Sequence, residues 1–291
     1  MRVTELYAKK KNVISMEFFP PRNEKAAQTF GTMIDELSVS TPDYMTVTFG
    51  AGGSTREGSY QTVKQILQEK KLPVVAYIAG YGLGPDDIVT VLDAYKGLGI
   101  ETIFVIRGDE PRGDDFAPHP DSFSYASEMI RFIKERYDFT LGCAGYPEGH
   151  ADAKSLDEDI DHLKEKVDNG AEYIVAQYFY DNAYFFDYVE KCRQKGITVP
   201  IIPGIMPVYT VKMTQMLAKV CGTTITDALQ KRLDAVNPED KQAVLNLGVD
   251  FAVEQCVGLL KQGVPGLHFY TMNRSGTTNA ILERLKQDHL L

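Results

Sequence analysis

Glu17, Arg107, Asp109, Gln177 and Arg274 each sit within or just after a short apolar run. In an α/β protein that is where chemistry gathers, at the carboxyl ends of strands. Glu17 lies in Asn12-Val-Ile-Ser-Met-Glu-Phe-Phe19, which Pro20-Pro21 stops. Apolar surroundings disfavour a charged carboxylate, so Glu17 is a candidate general acid; the alternative is an ion pair with a buried Arg. Ile103 to Ile106 run straight into Arg107, Gly108 and Asp109. Gly108 permits close backbone approach to a ligand, although turns need Gly anyway. Asp109 is either a substrate-binding carboxylate or a loop cap with Arg107, and the local sequence favours the cap. Gln177 ends Tyr173-Ile-Val-Ala-Gln177. A buried amide must find partners, so it reads equally as a ligand edge or a structural hydrogen bond. His150 reads as a loop histidine or a phosphate contact, and Arg274 as a holder of an anionic tail or a solvated charge. The set has no Cys-His or Ser-His-Asp order and no metal cluster. It suits a flat conjugated ligand with hydrogen-bonding edges, and proton transfer to or from it.

The elements that must position these residues alternate between strand and helix. Apolar runs bounded by turn residues mark strands at Asn12–Phe19, Tyr44–Phe49, Leu72–Ile78, Ile103–Ile106, Phe139–Gly145, Tyr173–Gln177, Val199–Gly204 and Gly266–Tyr270. Between them helical spacing covers Glu24–Leu37, Arg56–Lys71, Pro85 to about Gly97, Tyr125–Arg136, Ser155–Asn169 and Ala183–Lys195. Further helices are expected at Val211–Cys221, Thr226–Ala235, Pro238–Gln262 and Asn279–Lys286. Gly50–Gly53 and the stretch from Glu110 to Ser122, rich in Pro, Asp and Gly, read as loops. Eight βα units with short connections predict parallel strands and right-handed crossovers, hence a (β/α)₈ TIM barrel occupying residues 1–291 as one domain. A doubly wound sheet is the alternative, but no GxGxxG falls at a strand–helix junction and no GxxxxGK[ST] occurs.

The 31 Lys and Arg against 40 Asp and Glu give a net charge of −9, which argues against nucleic acid or an anionic membrane as partner. It leaves room for an anionic small ligand held by local positive charge. No apolar run approaches the roughly 20 residues of a membrane span, and the N-terminus has no apolar signal core, so a cytoplasmic protein is expected. Cys143, Cys192, Cys221 and Cys256 form no CxxC and no metal-ligand spacing with His, and read as reduced, mostly buried thiols.

The same residues spell a family pattern. Ser15-Met-Glu-Phe-Phe-Pro-Pro-Arg22, Thr46-Val-Thr-Phe-Gly50, Arg107-Gly-Asp109, Tyr146-Pro-Glu-Gly-His150, Gln177-Tyr-Phe-Tyr-Asp181, Pro203-Gly-Ile-Met-Pro207 and Phe269-Tyr-Thr-Met-Asn-Arg274 closely resemble methylenetetrahydrofolate reductase, in order and over nearly the whole chain. The resemblance implies a barrel that holds FAD at its strand ends and reduces 5,10-methylenetetrahydrofolate to 5-methyltetrahydrofolate. Hydride would pass from NADH or NADPH to the flavin, and folate would then bind the same flavin face, giving ping-pong kinetics. By the resemblance, Glu17 is the general acid that helps open the five-membered ring to an iminium ion. Asp109 is the carboxylate near pterin and flavin, Gln177 the amide shared by folate and nicotinamide, and Arg274 a folate-side residue. Thr48, Arg107, Gly108, Asp109, Tyr125, Ala126, Tyr146, His150, Asp159 and Lys166 fall at FAD-contact positions, with Lys166 and His150 supplying positive charge for the diphosphate. The family usually has His-Leu-Thr-Cys where this chain has Tyr77-Ile-Ala-Gly80, so the flavin contact expected of that His falls to Tyr77. His162 stands where a flavin-contacting Asn is common, and Met213 where a folate-side or nicotinamide-side Gln is common. The resemblance also implies a homo-oligomer. An alternative keeps the same folate reduction but takes electrons from a partner protein in an electron-transfer complex.

Overall fold

The structure is a computed structural model that describes residues 1–50, 56–110 and 117–291. Parts of the two expected loops, residues 51–53 and 111–116, lie outside the described residues. Eight strands form a closed parallel barrel: β1 (Val13–Phe18), β2 (Tyr44–Val47), β3 (Val74–Ala79), β4 (Thr102–Ile106), β5 (Thr140–Gly145), β6 (Tyr173–Tyr178), β7 (Ile201–Ile205) and β8 (Gly266–Tyr270). They pair in chain order, and β8 closes on β1 with Glu17 opposite Tyr270. Nearly every strand residue is buried, because interior side chains cover one face and helices cover the other. That is why the apolar runs are continuous and not alternating.

The surrounding helices are α1 (Val3–Lys9), α2 (Glu24–Ser38), α3 (Arg56–Lys64), α4 (Pro85–Gly97), α5 (Ala126–Lys134), α6 (Leu156–Asp168), α7 (Asn182–Gln194), α8 (Val211–Cys221), α9 (Asp227–Ala235), α10 (Lys241–Lys261) and α11 (Gly276–Gln287). Several begin just past a strand end on a side chain that accepts from a free first-turn N–H: Asn23 from Ala26, Ser155 from Glu158, Asp181 from Ala183, and Thr210 from Met213.

Three features depart from the sequence expectations. The helix expected over Arg56–Lys71 turns π-helical at Gln65–Glu69 and stops where Lys71 takes a φ of 55°. Helix α1 was not anticipated. It closes the floor of the barrel, with the Tyr7 hydroxyl 2.9 Å from that of Tyr44, its ring 6.4 Å from that of Tyr173, and Val3 N donating to Thr102 Oγ1 at 3.2 Å. By length and composition the 21-residue α10 could cross a membrane, which corrects the reading that no apolar stretch approaches that length. In this fold it buries Val244, Val249, Ala252, Val253, Cys256 and Leu259, as an outer helix against α7 and α11.

Inside the barrel the side chains stack in layers. Tyr44 and Tyr173 lie at the base with Tyr7. Above them Tyr77 stacks on Phe104 at 4.5 Å, and His268 lies edge-on to Tyr270 at 5.0 Å. A second apolar cluster, including Tyr178, Tyr180, Met206, Val208, Tyr209, Leu229 and Leu233, ties the ends of β6 and β7 to α8 and α9. Met213 packs half-buried against it.

Candidate active site at the strand ends

Glu17 is an enclosed acid at the end of β1, with 7% of its surface exposed. The Tyr77 hydroxyl donates to its Oε2 at 2.7 Å, and His268 Nε2 lies 3.7 Å from the same oxygen. No described Lys or Arg reaches it, so the buried-Arg alternative is not what holds it. Burial, followed by the charge of Glu17, drives the phenols of Tyr77 and Tyr270 well above their ordinary range, so both stay protonated donors. Tyr270 spends its hydroxyl on Ala176 O at 3.1 Å.

The string after β8 fixes the backbone around Glu17. Thr271 Oγ1 donates to Glu17 O at 2.6 Å. Asn273 accepts from Phe19 N at 2.9 Å and donates to Phe19 O at 2.8 Å. His268 and Thr271 went unassigned in the sequence. The signal for His268 was available: it is two residues before Tyr270, and alternate strand residues share a face.

The end of β4 turns sharply. Gly108 takes a φ of +84°, and a Cβ there would lie 2.9 Å from Ala79 Cβ, so this position needs Gly for both backbone and space. Arg107 does not pair with Asp109. Its Nη2 meets Asp152 Oδ2 at 3.2 Å, while Asp109 is exposed. Asp109 does face the site's interior electrostatically. Burial first, then the charges of Asp159 and Asp109, push the Tyr146 phenol up, and Asp109 also acts on Cys221 after burial and its bond to Tyr178.

A basic rim follows β5. His150 stands edge-on to Tyr146 at 4.7 Å, and its Nδ1 accepts from Asp152 N at 3.1 Å and lies 3.8 Å from Asp152 Oδ2. Lys166 lies 5.9 Å from the Tyr146 ring centre and donates to Ala144 O at 3.0 Å. Asp159 is buried, and desolvation raises its pKa against the opposing pull of Lys166 and His150. Arg107 thus holds the exposed carboxylate of Asp152, and His150 fixes the Asp152 backbone by accepting from its N–H, which places Arg107 and the His150 ring on one rim where an anionic ligand could be met. Nearby, Tyr125 at the start of α5 lies parallel to His162 of α6, with ring centres 6.4 Å apart, and Ala126 opens α5 beside it.

On the far side, β6 carries one extra residue against β7 between Val175 and Tyr178. This bulge re-aims Gln177, which is half-buried and accepts from Tyr178 N at 3.1 Å through its own Oε1. The structural half of the Gln177 reading is therefore met by its oxygen, while no described residue accepts from its amide nitrogen. Gly204 lets β7 approach: a Cβ there would lie 2.2 Å from Ala176 O. Thr48 is buried and its Oγ1 has no hydrogen-bond partner among the described residues. Arg274 is exposed, 5.8 Å over the Tyr209 ring.

A family model for methylenetetrahydrofolate reductase matches residues 2–286. The chain belongs to the methylenetetrahydrofolate reductase family. Methylenetetrahydrofolate reductase 1 of Schizosaccharomyces pombe is 36% identical over 95% of this chain and 46% of its own length. The 5,10-methylenetetrahydrofolate reductase of Escherichia coli is 34% identical over 94% of this chain and 90% of its own. The chain spans about half the length of the eukaryotic relatives it matches. Among solved structures, an uncharacterized protein from Clostridium thermocellum that binds two copies of 5-methyl-5,6,7,8-tetrahydrofolic acid matches with a TM-score of 0.67 at 16% identity, covering 99% of this chain and 98% of that one. At that identity the likeness establishes the shared barrel fold.

Proposed function

We propose that this chain reduces 5,10-methylenetetrahydrofolate to 5-methyltetrahydrofolate, using FAD and a reduced nicotinamide. The observation that carries the reading is the enclosed Glu17 carboxyl at the end of β1, with Tyr77 donating to one oxygen. Family membership over residues 2–286 supports it, as does the fold shared with a protein that binds 5-methyltetrahydrofolic acid. The residues fit FAD on this structure's own terms. Arg107 already holds the Asp152 carboxylate beside His150, and Lys166 lies beside Tyr146 on the same rim. The unpartnered Thr48 hydroxyl and the tight Gly108 turn offer a donor and a close backbone approach. Arg107, His150 and Lys166 would bind the diphosphate, with Thr48, Gly108, Tyr146 and the Tyr125–His162 pair around the rest. When bound, FAD supplies the hydride that converts the bridging carbon to a methyl group.

The chain's own residues do the remaining work. The bridging carbon accepts hydride well only as an iminium cation, so the ring must open first. Glu17 delivers a proton to the ring nitrogen that leaves that carbon. The Asp109 carboxylate stabilises the cation that results. The Gln177 amide nitrogen has no described acceptor and would bind the polar edge of pterin or nicotinamide in turn. Arg274, exposed above Tyr209, would meet the anionic tail of the folate. Four unpaired cysteines agree with a reducing, cytoplasmic setting.

The test is anaerobic stopped flow on the flavin-loaded protein, following each half-reaction in the native chain and in Glu17→Gln. The variant should still be reduced by NADH or NADPH but lose reoxidation by methylenetetrahydrofolate, because only the second half-reaction needs the acid. A native flavoprotein that this folate never reoxidises would refute the function. Slow reduction by both nicotinamides that becomes fast with a co-purifying protein would instead assign the electron supply to a partner.

A further inference from the structure

The interior of the barrel holds a polar arrangement that the proposed chemistry does not by itself require. Glu17 Oε2 accepts from Tyr77 on β3 at 2.7 Å and faces His268 Nε2 on β8 at 3.7 Å. His268 is fully buried, and its Nδ1 lies 2.8 Å from Ser15 Oγ on β1. Its Nε2 is buried with no hydrogen-bond partner, leaving Glu17 as the group it faces. Oε1 of Glu17 has no described donor and is not among the buried unpartnered atoms, so it keeps some accessible surface. The other groups around Glu17 do not compete. Tyr270, also on β8, gives its hydroxyl to Ala176 O, and β2 presents the uncharged Thr46 in register with Glu17.

We propose that Tyr77 and His268 are positioning residues that engage Oε2 of Glu17 within the barrel, so that its exchangeable proton resides on Oε1 at the mouth. The Tyr77 hydroxyl donating to this oxygen, with the His268 ring facing it at 3.7 Å, makes it the electron-rich end of the carboxyl group. With the Ser15 hydroxyl donating to Nδ1, the imidazole proton would sit on Nε2, pointing at that oxygen. Tyr77 is held in place by its stack on Phe104, so the hydroxyl is pre-aimed and costs little to order. The hydrogen bond is stronger to the carboxylate than to the neutral acid. Under the reading given above as the proposed function, on which this consequence rests, the proton on Oε1 is the one delivered to the folate nitrogen. The carboxylate left behind keeps the Tyr77 donor on Oε2, with His268 facing it, until Oε1 is protonated again from the mouth.

The experiment is an infrared difference titration of the protonated carboxyl band in the full chain without substrates, assigned to Glu17 by its loss in Glu17→Gln. In Tyr77→Phe, which keeps the ring and its stack, the band should persist to higher pH, with a midpoint shifted up by about one unit. A fluorinated tyrosine at position 77 has the same shape and a stronger donor, and should shift the midpoint down. In the loaded protein the basic limb of the folate half-reaction should follow the infrared midpoint in both variants. Midpoints that stay put in both would overturn the proposal. If they move while Glu17→Gln keeps its folate half-reaction, the acid role under the proposed function fails and the positioning stands.

Discussion

The Asn273 carboxamide closes on both backbone groups of Phe19, accepting from its N at 2.9 Å and donating to its O at 2.8 Å. This pairing imitates one more strand partner after β8 has ended, and it locks the chain two residues past Glu17. Asn273 does so from a left-handed backbone, φ 55°, following Met272 at φ 51°. Asn tolerates that region better than most residues. Asn273→Ala should therefore lose two hydrogen bonds and accept backbone strain, destabilising the fold by about 1–3 kcal/mol in urea unfolding. Asn273→Asp keeps the acceptor but sets an oxygen against Phe19 O, and should be the worse substitution for the folate half-reaction. Equal behaviour of Ala and Asp would show that the paired geometry is not what matters.

Gly204 and Tyr270 occupy the same few ångströms between β6 and β8. A Cβ at 204 would lie 2.2 Å from Ala176 O and 2.5 Å from Tyr270 Cε2. Backbone cannot yield as a flexible side chain can, so Gly204→Ala must displace the Tyr270 ring and its hydrogen bond to Ala176 O. Overpacking of this kind costs about 1–3 kcal/mol, visible as a lowered Tm in calorimetry. The β6 bulge that aims Gln177 should loosen with it. A Tm unchanged from the native chain would mean that β7 moves away freely.

Much of this was legible in the sequence because barrel strands are buried on both faces. Ile103 to Ile106 and Tyr173 to Ala176 announce themselves as apolar runs whatever they pack against. Helix α1 was not legible: its seven residues are too short for a clear period, and Tyr7 matters only because Tyr44 and Tyr173 of the barrel interior meet it. Arg107 and Asp109 looked like a pair because they are neighbours in sequence. With Gly108 at φ +84° between them, Arg107 is paired with Asp152, from the next βα loop. The role of Asn273 was hidden for the same reason, since Phe19 is 254 residues away. The register slip at Gln177 leaves no mark in composition.

Asp159 gives the fold a predictable pH response. Burial raises its pKa from the ordinary 3.8, and Lys166, then His150, oppose that rise. The native state thus holds this proton more tightly than the unfolded chain. Its contribution to stability is fully present below the ordinary carboxylate value and is lost as pH rises through the raised native one. Lys166→Met removes the largest opposing charge, so the loss should deepen and extend to higher pH. Asp159→Asn should flatten it. Urea midpoints measured from pH 3 to neutrality decide this, and a Lys166→Met curve parallel to the native one would contradict it.

Asp152 stands where an anionic ligand of Arg107 and His150 would bind, 3.2 Å from Arg107 Nη2 and 3.8 Å from His150 Nδ1. It is mostly exposed, so its pair with Arg107 is a screened, weak attraction that holds the guanidinium in place without burying it, while His150 Nδ1 accepts from the Asp152 backbone N–H. A diphosphate must displace this carboxylate or sit beside it, and either arrangement opposes binding. Asp152→Asn should therefore tighten flavin binding by up to about fivefold at low salt, the scale of one exposed ion pair. The gain should shrink as salt rises, because the repulsion it removes is solvent-screened. Arg107→Leu should weaken binding in the same assay, flavin fluorescence quenching on the stripped protein. If Asp152→Asn instead weakened binding, the carboxylate would be orienting Arg107 and His150 for the ligand, with its own charge a smaller effect.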